Sequence, residues 1–357
     1  MKVVLISIAV LLAVILLAVG GFKLYDYIGA AEFYNNSEKV FKTPGVNDSN
    51  FVPQGMTYDE GSNTFFFTGY MGKPILGKLG DDVASRVYFM DGDGSVGYAS
   101  LCMANGEPYT DHTGGVEVFD KYVYVTGEDS HGLDVFLLSD ILDGGKAVMQ
   151  GTVKTYNSPA HCYTFDGGNG KRYILAGSYH KDETVYLTPE HEKIAIPRTD
   201  EKNPSVMTVF ELDANAEFGV LPDPVAIISA REMIQGICMT PEGQLVVSSS
   251  WGLATSNLYF YDMADFTLVE NYNYAGQIAY GDLEDVNAEK TYEDFNFTVP
   301  CYVIDSHDPE KTVVAPPMSE ELVCRDGMII VFCESACNKY MFGKLTTGFN
   351  TYGYKYK

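Results

Sequence analysis

Five times the chain repeats one short pattern. A polar or small residue opens an apolar strand, a turn follows, and a second apolar strand runs into small or polar residues. The copies are PQGMTYDEGSNTFFFTGY (53–70), TGGVEVFDKYVYVTGED (113–129), PAHCYTFDGGNGKRYILAGSYH (159–180), IQGICMTPEGQLVVSSSWG (234–252) and SEELVCRDGMIIVFCESA (319–336). Their turns, DEGSN, DGGNG, PEG and RDG, supply residues that tolerate positive φ, as tight hairpins require. A third strand follows most copies: SRVYFMD (85–91), LDVFLLSD (133–140), VMTVFELD (206–213) and SNLYFYD (256–262). A fourth, such as VMQGTVKTY before Asn157 or PVAIISA before Arg231, leads into the next copy. Four antiparallel strands per repeat make a propeller blade, which buries its faces only against neighbouring blades.

The copies therefore predict an all-β chain folded as a β-propeller of five blades. VPCYVIDSHD (299–308) and TVVAPPM (312–318) read as outer strands without an inner hairpin. They either complete the fourth unit after an insertion or form a degenerate sixth blade. EKVFKTPG (38–45) matches the strand that precedes each copy and is expected to close the ring on the last blade. A jelly roll or sandwich is the competing all-β reading, but its strands should resemble one another less. TPEHEKIAIPRTDEKNP (188–204) and NAEKTYEDFNF (287–297) are insertions, read as surface loops rather than lids.

Ahead of the repeats, Val3 to Phe22 is apolar without a charge, and Lys23 closes the run. About 20 apolar residues match a bilayer core. The organisation expected is a transmembrane signal-anchor over 1–23, a linker over 24–37 and one propeller domain over 38–357. Cleavage near Ala18-Val19-Gly20 would make the run a signal peptide and the protein secreted. Retained, it places a single-pass protein in the cell membrane with the propeller outside the cytoplasm.

Composition narrows the partners. With 24 Lys+Arg against 48 Asp+Glu the formal charge is −24, which argues against nucleic acid or an anionic lipid surface. Hydrophobic residues at 46% and aromatics at 13% exclude a disordered chain. The seven cysteines form no CxxC pair, and several sit in apolar runs where a thiol packs as a small hydrophobe.

Propeller topology gathers the start of each innermost strand and the end of each second strand at one channel mouth. The opening positions are Gln54, His112, His161, Gln235 and Glu320; the closing ones are Tyr70, Glu128, Asp129, Tyr179, His180, Trp251 and Glu334. Convergent polar groups beside an aromatic wall describe a small-ligand pocket. The plainer alternative is a ring of polar residues that lines a water-filled channel. A small molecule, glycan or peptide is the ligand class expected, and His112, His161 and Glu320 are the candidates for any catalysis. The sequence contains no HExxH, GxSxG, P-loop or GxGxxG, and DGDG (91–94) reads as a turn rather than a calcium loop.

The series VPQGM, HTGG, SPAHCYTF, IQGICMTPEGQLVVSSSWG and MSEELV…FCESACNKY resembles a family of exported bacterial propeller proteins. These are distant relatives of NHL-repeat, strictosidine synthase-like and gluconolactonase-like propellers. The resemblance spans most of 52–340. Where its pattern has a glycine after Ser-Glu, this chain has Glu321. The lactonase-like relatives hold a channel-mouth calcium. That would place Glu320, Gln54 and Gln235 as metal ligands and the chain as a metal-dependent hydrolase or lactonase using channel-mouth Glu and His. A scaffold for protein partners, selecting a basic one, is the remaining class.

Overall fold

The computed structural model describes residues 2–48, 50–81, 83–181, 187–280, 291–346 and 348–357. The five hairpins fold as five blades. Blade one comprises Phe51–Asp59, Thr64–Met71, Arg86–Asp91 and Val96–Cys102. Blade two comprises Thr113–Phe119, Tyr122–Gly127, Gly132–Leu137 and Gly151–Lys154. Blade three starts with Pro159–Asp166, Arg172–Ser178, Ser205–Leu212 and Ala226–Ala230. Blade four has Ile234–Met239, Gln244–Ser249, Ser256–Asp262 and Lys311–Ala315. Blade five has Ser319–Arg325, Met328–Cys333 and Asn350–Lys355, and Ser37–Lys42 adds its outer strand by pairing Ser37 with Tyr354 and Lys42 with Asn350. The expected closing strand thus joins the chain's two ends in one sheet.

The described residues form no sixth blade. TVVA completes blade four, where Val313 faces Leu258. The insertion between its third and fourth strands leaves the blade. Thr267–Tyr280 and Thr291–Val303 form a long hairpin whose second strand runs parallel to the edge of blade three, Cys301 beside Ile227. VPCYV therefore extends blade three to six strands. Residues 287–290 of the insertion read as a loop lie outside the described residues, and 291–297 are strand. Within 188–204, Ile194–Ala195 and Lys202–Asn203 make a small ribbon. Asp91-Gly-Asp-Gly is a turn, its Asp93 carboxylate accepting from the Ser95 amide at 2.9 Å.

The core lies between blades. Phe66 and Val87 of blade one pack with Val116 and Val123 of blade two; Leu175 and Met207 of blade three pack with Ile237 and Val247 of blade four. Every cysteine is a free thiol and all but Cys324 are buried.

At the N-terminus, helix α1 (Lys2–Gly29) contains a stretch, Ile6–Gly29, long and apolar enough to cross a membrane; its most apolar 18 residues have mean hydropathy 2.4 and none of them is buried. Its 24 residues span about 36 Å at the helical rise. The segment expected as a linker continues α1 to Gly29 and adds a short helix α2 (Ala31–Asn35). Phe33 of α2 is fully buried, its ring stacked on Tyr354 at 5.8 Å and edge-on to Tyr352 at 5.9 Å. The signal for this was weak: one aromatic pair, Phe33-Tyr34, in an otherwise polar stretch.

Each innermost strand carries the same irregularity near its start. Register slips between Pro53 and Gly55, Thr113 and Val116, Pro159 and His161, Ile234 and Gly236, and Ser319 and Leu322. These are β-bulges, which add a residue and re-aim its side chain. The strands approach so closely here that a Cβ on Gly55 would lie 2.3 Å from the Gly114 carbonyl oxygen, and one on Gly114 2.0 Å from that of Ala160. Glu321 does not disrupt this approach. A Cβ on Gly236 would meet the Glu321 Cα at 2.3 Å, and the Glu321 carboxyl accepts from the Ile237 amide at 2.9 Å. Glycine is kept on one side of that contact.

Two substitutions test these packing arguments. Phe33→Ala should cost about 3–5 kcal/mol in urea unfolding of the detergent-solubilised chain, as for a buried ring. Gly114→Ala should destabilise by more than about 1 kcal/mol, because backbone rather than a movable side chain opposes the new methyl.

Candidate functional site

The five bulges turn one position per blade into the channel mouth: Gln54, Gly114, Ala160, Gln235 and Glu320. All five line a single cavity of about 380 Å³. The strand-end residues Tyr70, Glu128, Tyr179, Trp251 and Glu334 complete its wall with His112. Most residues expected at the mouth are therefore brought together. Two histidines are not. His161 is one residue past the bulge, and in a strand successive side chains take opposite faces. It is buried against Gly177, where a Cβ would lie 2.1 Å from its Nε2. Burial pushes its pKa down to about 3, opposed only weakly by the backbone of Ile234. His180 turns away to the inserted segment, its Nε2 2.9 Å from the buried Glu192 carboxylate. Asp129 does not line the cavity; its amide donates to Asp111 at 3.0 Å.

A hydrogen-bonded chain crosses the mouth. Glu128 Oε2 lies 3.1 Å from His112 Nδ1, and His112 Nε2 lies 3.2 Å from Gln54 Oε1. Gln54 Nε2 donates to Glu334 Oε2 at 2.7 Å. The Tyr70 ring meets the His112 ring edge-on, centroids 4.2 Å apart. Tyr179 donates to the Ser250 carbonyl at 3.3 Å, and the Lys181 ammonium lies 5.2 Å above the half-exposed Trp251 ring.

Lys339 and Tyr340 also line the cavity and were not among the strand-end candidates. They follow the last second strand by several residues, and a single turn, Glu334–Ala336, folds them back. Lys339 donates to the Tyr70 hydroxyl, and its ammonium lies 4.8 Å from the Tyr70 ring and 5.1 Å from the Tyr340 ring. The spacing from the strand end carried no signal of this return.

Two buried carboxyls share the floor. Burial holds Glu320 well above the usual carboxylate range, and the charges of Glu334 and Glu321 add to it. Its Oε1 has no hydrogen-bond partner among the described residues. Burial pushes Glu334 up to about 7, restrained by the Lys339 ammonium and the Gln54 bond. Groups whose environments separate their titrations can divide proton donation and acceptance between them.

Calcium fits this donor set poorly. The Gln54 amide is engaged at both ends, leaving Glu320, Gln235 and one oxygen of Glu334, against six to eight oxygens in typical calcium sites. Among the described residues, no group of three or more His, Cys, Asp or Glu is placed to hold a metal.

No family model matches the chain. No curated protein is similar to it. Solved structures are similar at low scores. A GH43_1 enzyme from Xanthomonas citri, complexed with xylotriose, has a TM-score of 0.44 at 10% identity over 91% of this chain and 92% of that one. CoXyl43, a GH43 β-xylosidase/α-arabinofuranosidase from a compost microbial metagenome, has 0.43 at 12% over 88% and 93%. Glutaminyl cyclase from Myxococcus xanthus has 0.39 at 9% over 89% and 94%. No chemistry of this chain follows from scores of that size.

The carboxyls make stability depend on pH with a definite sign. Glu334, Glu117 and Asp111 are each raised to about 7, so between about pH 4.5 and 7 the folded chain holds protons that the unfolded chain has released. The contribution of these three carboxyls is fully present below that window and falls as pH rises through it, outweighing opposing groups such as His161, which is buried neutral. Thermal melts should give a higher Tm at pH 5 than at pH 8. Glu320→Gln, which removes another carboxyl that burial raises, should stabilise the chain at pH 8 more than at pH 5 and so reduce that difference.

Proposed function

We propose that the chain is a membrane-tethered propeller, held outside the cytoplasm by helix α1, that binds a small molecule, glycan or peptide at the mouth of its central channel. One observation carries the reading: all five blades contribute their bulged residue to one cavity of about 380 Å³, within the range of small-ligand pockets. The ligand's chemistry follows from the wall. The buried Glu320 oxygen lacks a donor, so a ligand hydroxyl or amine would satisfy it. Tyr70, Tyr179, Trp251 and Tyr340 offer ring faces or edges to an apolar or cationic portion.

A hydrolytic role is the second reading, favoured by the Glu320–Glu334 pair. In it Glu320 keeps a proton to give to a leaving group and ionised Glu334 accepts one from water. No metal enters this version.

A thermal-shift screen of the full chain in detergent, against oligosaccharides, amines and short peptides, supplies the ligand. The double variant His112→Ala/Trp251→Ala should then weaken that ligand at least about tenfold by calorimetry. An unchanged affinity would remove the site from the mouth. If the bound ligand is turned over, Glu320→Gln should abolish turnover while binding persists.

A further inference from the structure

The end of the propeller that holds the cavity is also the end from which helix α1 leaves. Phe22 and Asp26 sit among Pro316, Pro317, Cys333, Ser335 and Phe342, with the Phe22 and Phe342 rings edge-to-face at 5.6 Å. The two prolines precede the innermost strand of blade five and Ser335 follows its second strand, so this contact is at the mouth. Gly29 backs onto Thr255, which precedes the mouth end of a blade-four strand. Asp26 is buried and accepts from the Tyr34 hydroxyl at 2.9 Å, fixing the helix foot. From Ile6 to Gly21 the helix is exposed almost throughout and does not pack along the blades. A helix crossing a bilayer therefore delivers the mouth to the membrane surface within about one turn of Phe22.

The mouth loops suit that position. Ile75, Leu76, Leu187, Leu253 and Leu345 are exposed there by 63%, 78%, 63%, 57% and 42%, beside the half-exposed Trp251. Continuity with the helix is direct. Phe342 touches Phe22, and the 72–81 loop is tied to the same segment by the Ile75 amide donating to the Asn338 carbonyl at 3.0 Å. Exposed Lys23, Lys73 and Lys78 lie beside this apolar set; elsewhere both ends carry both signs, with exposed Asp81 and Asp129 at the mouth and exposed Lys121 and Lys171 among the carboxylates of the opposite turns. The net charge of −24 argues against an anionic surface for the molecule as a whole, so the apolar tips and the adjoining helix, rather than charge, carry the contact. Apolar tips, an interfacial tryptophan and lysines on one face are what a headgroup layer accepts.

The geometry points to a lipid surface as the partner of the mouth face: the propeller rests mouth-down on the bilayer, and the cavity opens onto the headgroup layer. This rests on α1 being membrane-embedded, as proposed above, and adds which face meets the lipid.

Trp251 is the sole tryptophan and serves as the reporter. The full chain is reconstituted in phosphatidylcholine vesicles, with and without phosphatidylglycerol, and washed with carbonate. Its emission is then read against lipids brominated on the acyl chain. We expect the chain to be retained and Trp251 emission to fall about twofold with brominated lipid. Leu76→Asp/Leu253→Asp should abolish that quenching while the chain stays in the membrane. A retained chain without quenching, whatever its exposure to aqueous iodide, overturns the orientation and leaves the anchor standing. A chain removed by carbonate overturns both.

Discussion

An extra residue at the start of each innermost strand governs the molecule. Without the bulge, the alternation of a strand would send the residue after each opening position into the space between blades. With it, one residue per blade faces the mouth, as a side chain in four blades and as bare backbone at Gly114, and the neighbouring residue packs. The glycines at Gly55, Gly114 and Gly236 follow from the same geometry, since the bulged backbones meet too closely for a second Cβ. The cavity and the close approach of the innermost strands thus have one cause. The local backbone event that brings five blades to the axis also aims their functional side chains.

The second constraint is closure. A propeller whose first and last strands belong to one blade is sealed by hydrogen bonds between its ends, and Ser37–Lys42 supplies that seal here. Because α2 packs Phe33 on Tyr352 and Tyr354, the same blade holds the foot of helix α1. Its second strand ends at Cys333, immediately before Glu334, and the following turn returns Lys339 and Tyr340 to the cavity. The N-terminal helix, the seal and much of the site therefore converge on blade five.

Much of this was legible in the sequence, for identifiable reasons. Repetition exposed the blades, because five hairpins with like turns do not recur by accident. Topology exposed the mouth, because a strand pair returns to the end at which it starts. What stayed hidden was single-residue detail. A bulge shifts facing by one position and has no spacing signature, so His161 was expected where Ala160 stands. His180 was lost to a partner, Glu192, that lies inside an insertion. Lys339 and Tyr340 return through a short irregular turn, and such turns carry no period. The outer-strand bookkeeping around 299–318 was ambiguous for a related reason: a parallel strand can be lent to the preceding blade without changing its own pattern.

The central claim is that the bulge ring is a ligand site and not only a solvent-lined channel end. An experimental structure of the full chain with a ligand from the screen tests this most directly. The expected result is ligand density among Gln54, Gln235 and Glu320, with a hydroxyl or amine within hydrogen-bond distance of the free Glu320 oxygen. Density at another surface, such as the cleft between Tyr98 and Lys146 at the edge of blade one, with ordered water alone at the mouth, would contradict it.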